Sequence, residues 1–384
     1  MSGKTQLRAA AFVAAALLVS PSLIGPGAAS AQPNTIGSLR FLGAAIIPND
    51  AEVDGTLVGG LSGLDYNPAT GTWAIISDDK SDKAPARFYL GRIELGAGAP
   101  KVTLDHAVVL QQAGGKPYPD AKAGGEVPDP ESIRFDPTGA ALWWSTEADL
   151  KVGVSPFVRE AGLDGSFKSN LALPPLFAVG KDEKHGPRHN LGFEGLSFTP
   201  KQEALWLGME SALAEDGPVA TTESGTVARF TKFDRGGKLL GQYAYPVDPI
   251  QAVPTGSGAD NGVSEVLALD DNRLLVLERS GVSGADGIWT MYIRLYQADV
   301  GDATNIAEVP ALAGATYQPM TKHLVLDLSK LPERGSPALP RIDNIEGVSF
   351  GPDLPNGHRS LVLVSDNNFN PLQITQFLAF EVLP

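Results

Sequence analysis

Cysteine is absent from this chain of 384 residues. Disulfides and thiolate metal ligands are therefore excluded, and the fold must hold by burial alone. Histidine is scarce, at five residues. Positive charge is also in deficit: 30 Lys and Arg stand against 44 Asp and Glu, a formal charge of −14. Such a field repels nucleic acid and anionic membrane surfaces and attracts cations. Several catalytic motifs are missing as well. Gly60-Leu61-Ser62-Gly63 and Gly281-Val282-Ser283-Gly284 lack the glycine two places after serine that a nucleophile elbow needs, which argues against a serine-triad esterase. No Walker loop, H-E-x-x-H or EF-hand loop occurs.

The N-terminus reads as an export signal. Lys4 and Arg8 precede an apolar stretch from Ala9 to Leu18, continued by Leu23 and Ile24, and Ala29-Ser30-Ala31 offers a small-residue cleavage site. Ser20, Pro21, Gly25 and Pro26 break the run well short of a membrane span. Cleavage after Ala31 is expected, leaving 32–384 as a single domain that is periplasmic or secreted, with no transmembrane segment and as a monomer.

Within that domain a unit recurs: a small or acidic residue, an alternating apolar strand, a Pro, Asp, Asn or Gly turn, and a second strand ending in an acid. The units begin at Ser62, Glu131, Glu194, Glu265 and Glu346, about 71 residues apart. Their second strands end at Asp78, Glu147, Glu210, Glu278 and Asp366. Further strand-like runs follow, such as Thr226 to Phe233 and Lys238 to Tyr245, which makes four strands per unit, the blade of a β-propeller. The fifth unit has only one further strand, Gln373 to Leu383, while Ser38 to Ile47 has no blade of its own. Pairing the two closes an all-β ring of five four-stranded blades; a sixth blade in the intervals before Glu131 or Glu346 is the alternative. An apolar period near two argues against long helices, and Trp73, Trp143, Trp144 and Trp206 are expected in the core between blades.

Because hairpin strands run antiparallel, the start of the first and the end of the second share one edge of the sheet. Glu131 with Glu147, Glu194 with Glu210, Glu265 with Glu278, Glu346 with Asp366, and Ser62 with Asp78 are thus expected to converge on one mouth of the channel. Carboxylates so gathered repel unless a cation offsets them. Hard oxygen donors without His or Cys suit calcium better than zinc. The expected metal ligands are Asp78, Glu131, Glu147, Glu194, Glu346 and Asp366, and Glu265 and Glu278 have Arg279 as an alternative partner. Basic groups near the same edge, Lys80, Arg188, His189, Arg279 and the loop with Lys181, fit a small anionic, phosphorylated substrate. His106, His323 and His358 fall away from these edges.

Gly59-Gly60-Leu61-Ser62-Gly63-Leu64-Asp65 with Ile76-Ser77-Asp78-Asp79 resembles the opening of the phytase-like domain. Pro130-Glu131-Ser132-Ile133, Asn190-Leu191-Gly192-Phe193-Glu194-Gly195-Leu196, Ile345-Glu346-Gly347-Val348-Ser349-Phe350 and Ser365-Asp366-Asn367-Asn368-Phe369 are similar to its later motifs. The resemblance runs from about Ile36 to the end. It implies ester or phosphoester hydrolysis on a propeller, with calcium held by the acidic ring and no protein nucleophile. On that reading Glu194 belongs to the catalytic set, Glu210 acts as general base, and Arg188, His189, Lys80 and Arg279 face the substrate. Two alternatives accompany it. One is a lactonase with a single metal between Glu, Asn and Asp, for which Asn190, Asn367 and Asn368 are available. The other is a non-catalytic binding propeller of the cell envelope that is stabilised by calcium.

Overall fold

The computed structural model describes Met1 and residues 35–384, apart from Ala97, Ala121 and 181–183. The expected signal segment and Lys181 lie outside the described residues. Five four-stranded antiparallel sheets, each one blade, account for nearly all the regular structure. Blade one is Leu61–Asn67, Thr72–Ser77, Arg87–Gly96 and Gly98–Val109, from the channel outward. Blade two is Pro130–Phe135, Ala141–Thr146, Phe157–Gly162 and Phe167–Asn170. Blade three is Phe193–Phe198, Ala204–Met209, Thr226–Asp234 and Leu239–Val247. Blade four is Ala259–Ala268, Arg273–Ser283, Trp289–Asp299 and Thr321–Asp327.

Blade five takes three strands from the C-terminal end, Asn344–Phe350, Ser360–Asp366 and Thr375–Leu383, and its outermost strand is Ser38–Ile47. The two terminal strands pair antiparallel from Ser38 opposite Leu383 to Ile47 opposite Thr375. The inner strands touch in cyclic order, so the ring closes at five. Among the described residues, the intervals before Glu131 and Glu346 hold outer strands and loops and no sixth blade. Only two single-turn 3-10 helices occur there, and no helix is long and apolar enough to cross a membrane.

The core follows from the two-residue period of a strand buried on both faces. In the second strand of blade one, Trp73 and Ile75 pack with Val362, Val364 and Phe377 of blade five. Ala74 and Ile76 point the other way, to Ile133 and Trp144 of blade two. Leu274 and Val276 likewise face blade three, whereas Leu275 and Leu277 face blade five. Each sheet is glued on both sides, which is why the second strands read as near-continuous apolar runs. Trp73, Trp144 and Trp206 are buried in these seams, and Trp143 is half-buried against one of them.

Every inner hairpin carries a β-bulge at the same height. The register shifts between Leu61 and Gly63, Pro130 and Ile133, Phe193 and Gly195, Val263 and Glu265, and Ile345 and Gly347. A bulge leaves one extra residue on the first strand and turns its side chain out of the regular pleat. Ser62, Glu131, Glu194, Ser264 and Glu346 hold this place around the ring.

Candidate functional site

The bulged position and the residue that ends the second strand come together at one mouth of the channel. In blades one, two, three and five the second member is Asp78, Glu147, Glu210 and Asp366. Blade four departs from the expected pattern. Val263, not Glu265, pairs with Glu278, so the place of an acid falls to Arg279 and the bulged place to Ser264. A slip of one residue sends side chains to the opposite face. The expected pairing of Glu265 with Glu278 at the mouth is therefore corrected, and neither residue pairs with Arg279. Glu278 instead pairs with Lys322 and accepts from the Tyr245 hydroxyl at 2.7 Å.

Glu265 turns down the channel. Its carboxylate accepts from Arg134 and from the Ser132 hydroxyl, each at 2.8 Å, and from the Leu196 amide at 3.1 Å. Arg134 also donates to the carbonyls of Leu64, Val266 and Val348 on three different blades. This buried pair plugs the channel and separates the acidic mouth from the opposite one. Burial pushes the Glu265 carboxyl up to about 7, with Arg134 pulling the other way.

At the acidic mouth a cavity of about 500 Å³ opens over the ring. Three sets of carboxylates offer oxygens within 4.8 Å of one another: Asp78, Glu346 and Asp366; Asp129, Glu131 and Glu147; and Glu147, Glu194 and Glu210. Ser62 bridges two of the sets, donating to Glu131 at 2.7 Å or to Glu346 at 3.1 Å. The Asn344 amide donates to Glu346 at 2.9 Å and to Asp366 at 3.3 Å, and backbone N–H groups hold Glu147 (from Gly192) and Asp366 (from Asn368), both at 2.6 Å. The Glu194 carboxylate accepts no hydrogen bond from the described residues, although the residue is only 6% exposed. Asn190 and Asn368, beside the cavity, have left-handed backbone (φ 53° and 48°), as functional mouths often do.

Crowding and burial dominate the electrostatics. Burial first, and like-charged neighbours second, push Asp78, Glu131, Glu147, Glu194 and Asp366 well above the usual carboxyl range. Burial raises Glu210 to about 8, against the pull of Arg279. Two cations answer. Burial opposes the charge on Lys80, but Asp129, Glu131 and Glu147 outweigh it and hold the ammonium above its ordinary value. Arg279 behaves in the same way, against Asp260, Glu346 and Glu210 at 3.7, 3.6 and 3.5 Å.

The residues singled out in the sequence thus divide. Asp78, Glu131, Glu147, Glu194, Glu210, Glu346, Asp366, Lys80 and Arg279 are brought together. Arg188 is not: its guanidinium donates to the carbonyls of Ala212 (3.2 Å) and Gly217 (2.7 Å), outside the cavity lining. His189 lies outside the lining as well, 3.7 Å from Asp149. Asn367 is spent on the backbone of Gly60 and Phe369. His106 and His358 sit beside Asp54 and Glu381, and His323 is exposed. Asp129, Asp260 and Asn344 join the site without having stood out in the sequence. Asp129 was signalled only by standing two residues before Glu131, outside the repeating unit.

The model of the phytase-like family, described as esterase-like activity of phytase, matches residues 56–369. No curated protein matches. Among solved structures, a thermostable family-43 glycoside hydrolase shares 11% identity, with 86% of this chain and 92% of that one covered and a TM-score of 0.44. The Dos1 propeller shares 7% over 89% and 95%, with a TM-score of 0.33. A gluconolactonase of Xanthomonas campestris shares 14% over 91% and 98%, with a TM-score of 0.30.

Proposed function

We propose, from the premise that this chain belongs to the phytase-like family (esterase-like activity of phytase), that it is an exported, calcium-dependent phosphoester hydrolase working at the acidic mouth. The observation that carries the reading is the three sets of carboxylates with oxygens within 4.8 Å. Oxygens bound to one calcium at 2.3–2.6 Å lie no more than about 5 Å apart, so each set fits an ion of that size. The unpartnered Glu194 carboxylate is the donor that most needs one. When bound, the cation supplies Lewis acidity toward a phosphoryl oxygen and lowers the pKa of water.

The chain's own residues supply the rest. Glu131 and Glu147 with Asp129, Glu147 with Glu194, and Asp78 with Glu346 and Asp366 would hold the metal. Glu210, beside Glu147 and Glu194 and paired with Arg279, is placed to take a proton from water. In hydrolysis the water oxygen bonds to phosphorus, the bond from phosphorus to the leaving oxygen breaks, and Glu210 passes the proton on to that oxygen. Lys80 and Arg279 keep Asp129 and Glu210 in place through their ion pairs. Export belongs to the same reading, because millimolar calcium is available outside cells and weak sites suffice there.

The test is phosphate release from an aryl phosphate with calcium and with chelator, in the native chain and in Glu194→Gln. Calcium-dependent release that falls on the order of a hundredfold in the variant is expected. Undiminished release in chelator, or a wild-type rate in Glu194→Gln, would overturn the reading. A lactonase is the second reading, favoured by Asn190 and Asn368 lining the same cavity as Glu194. Turnover of uncharged lactones with no release from phosphoesters would select it.

A further inference from the structure

We infer that this mouth takes an ester with one phosphoryl group and a flat apolar group laid on Trp289, and that it rejects polyphosphorylated compounds. The inference rests on the hydrolase reading for the reacting group and on separate residues for the rest.

Charge comes first. Among the described residues, seven carboxylates line the cavity against two cations, Lys80 and Arg279. Neither cation is available for a ligand that carries many phosphates. Lys80 is paired with Asp129 and donates to Asn190 at 3.2 Å, and Arg279 lies among Glu210, Asp260 and Glu346. Sites for several phosphates offer uncommitted Arg forks or Lys ammonium groups, one or more per phosphate. Divalent cations held by the ring would offset part of its charge at the reacting phosphoryl group. Further phosphates would meet carboxylates at close range, where like charges repel. Glu194, buried in the cavity lining and accepting no hydrogen bond from the described residues, marks where the reacting group belongs.

Trp289 supplies the second observation. This chain buries Trp73, Trp144 and Trp206 to 1% exposure or less, yet leaves Trp289 43% exposed at the cavity wall. It opens the third strand of blade four, and Met291, two residues along on the same face, lines the cavity beside it. The indole lies on bare backbone. A Cβ at Gly281 would come within 3.0 Å of it, and one at Gly258 within 3.2 Å. One face of the ring is thus backed by main chain, which fixes its tilt, and the exposed remainder forms an apolar wall. Met291 pairs across the strands with Gly281, two residues from Arg279, so the wall joins the charged ring directly. A flat apolar surface fixed beside a polar centre is how sites bind an aromatic or similarly planar group.

The test is binding to the calcium-loaded protein, followed by isothermal titration with phenylphosphonate, methylphosphonate and inositol hexakisphosphate, together with turnover of phenyl phosphate. The expected result is phenylphosphonate about tenfold tighter than methylphosphonate. That preference should fall near unity in Trp289→Ala and largely persist in Trp289→Phe, with no competition from the hexakisphosphate. Equal or tighter binding of the hexakisphosphate, or a phenyl preference that survives Trp289→Ala, would overturn the inference even if phenyl phosphate is hydrolysed. The expected preference without any turnover would uphold it and remove the hydrolase reading instead. Trp289→Phe, which keeps an aromatic ring on the same glycine bed, guards against misfolding of the alanine variant.

Discussion

Burial holds the Glu210 carboxyl at about 8, whereas in an unfolded chain it titrates near 4.5. The folded state therefore binds this proton more tightly than the unfolded state does. Its contribution to stability is complete below the unfolded value and is lost as pH rises through the folded one. In chelator, the midpoint of thermal unfolding is expected to fall between about pH 5 and pH 8, and Glu210→Gln should flatten part of that slope, the rest belonging to the other ring carboxyls that burial pushes up. A slope unchanged in the variant would show that Glu210 does not carry it. The same residue was legible in the sequence, because an acid closing a strand opposite an acid opening its partner is a visible pattern. Arg279 was legible only as a neighbour of Glu278. Its place in the ring depends on a single step of register, which leaves no trace in hydrophobicity because Val263, Val266, Leu275 and Leu277 are buried in either frame.

The hairpin with its bulge is the element that repeats, and it reads from the sequence with unequal clarity. The Glu-Gly-Leu and Glu-Gly-Val forms of blades three and five declare the bulge, because acid and glycine fall in fixed order. In blade four Ser264-Glu265-Val266 shifts the acid by one, and the residue that looks like a ring member becomes half of the channel plug. Nothing local announces this, since Glu265 finds its partner Arg134 two blades away and 131 positions earlier. The plug itself is testable. Arg134→Ala removes five donors from the axis and leaves Glu265 buried and unpaired, a loss expected to cost about 3–5 kcal/mol in denaturant unfolding. Arg134→Ala combined with Glu265→Leu should recover part of that. An Arg134→Ala protein as stable as the parent would show that water, and not the ion pair, satisfies the carbonyls of Leu64, Val266 and Val348.

At the scale of the whole molecule the repeat length and the unmatched terminal strands pointed to five blades and to the closure, and the structure removes the sixth blade that the long intervals had left open. Such features are legible because they are matters of counting: five hairpins, four strands to a blade, one strand short in the last unit and one to spare at the beginning. The mouth's excess of acid was legible for a similar reason. Its balance was not, because Arg188 lies close to Glu194 in sequence yet spends its donors on loop carbonyls, and Trp289 stands far from every repeated motif. Closure carries a prediction of its own. Gly37 donates to the carbonyl of Leu383 at 2.9 Å, so the beginning and end of the ring lie side by side. A permuted chain that joins 384 to 35 through a short linker and opens at the exposed turn around Gly236 is expected to melt within a few degrees of the parent. A drop much larger than that would show that the covalent break between the terminal strands matters.

The shared fifth blade also sets an order of events in time. Ser38–Ile47 emerges early in synthesis but its partner Thr375–Leu383 is made at the end, so the seam cannot form before then. Until then the chain holds an unpaired strand whose complement is present in every other copy. Crowded molecules could therefore lend one another this strand, latching ring to ring instead of shutting each ring on itself. The clasp that gives a single molecule its closed shape is thus also the place where two molecules would most readily become entangled.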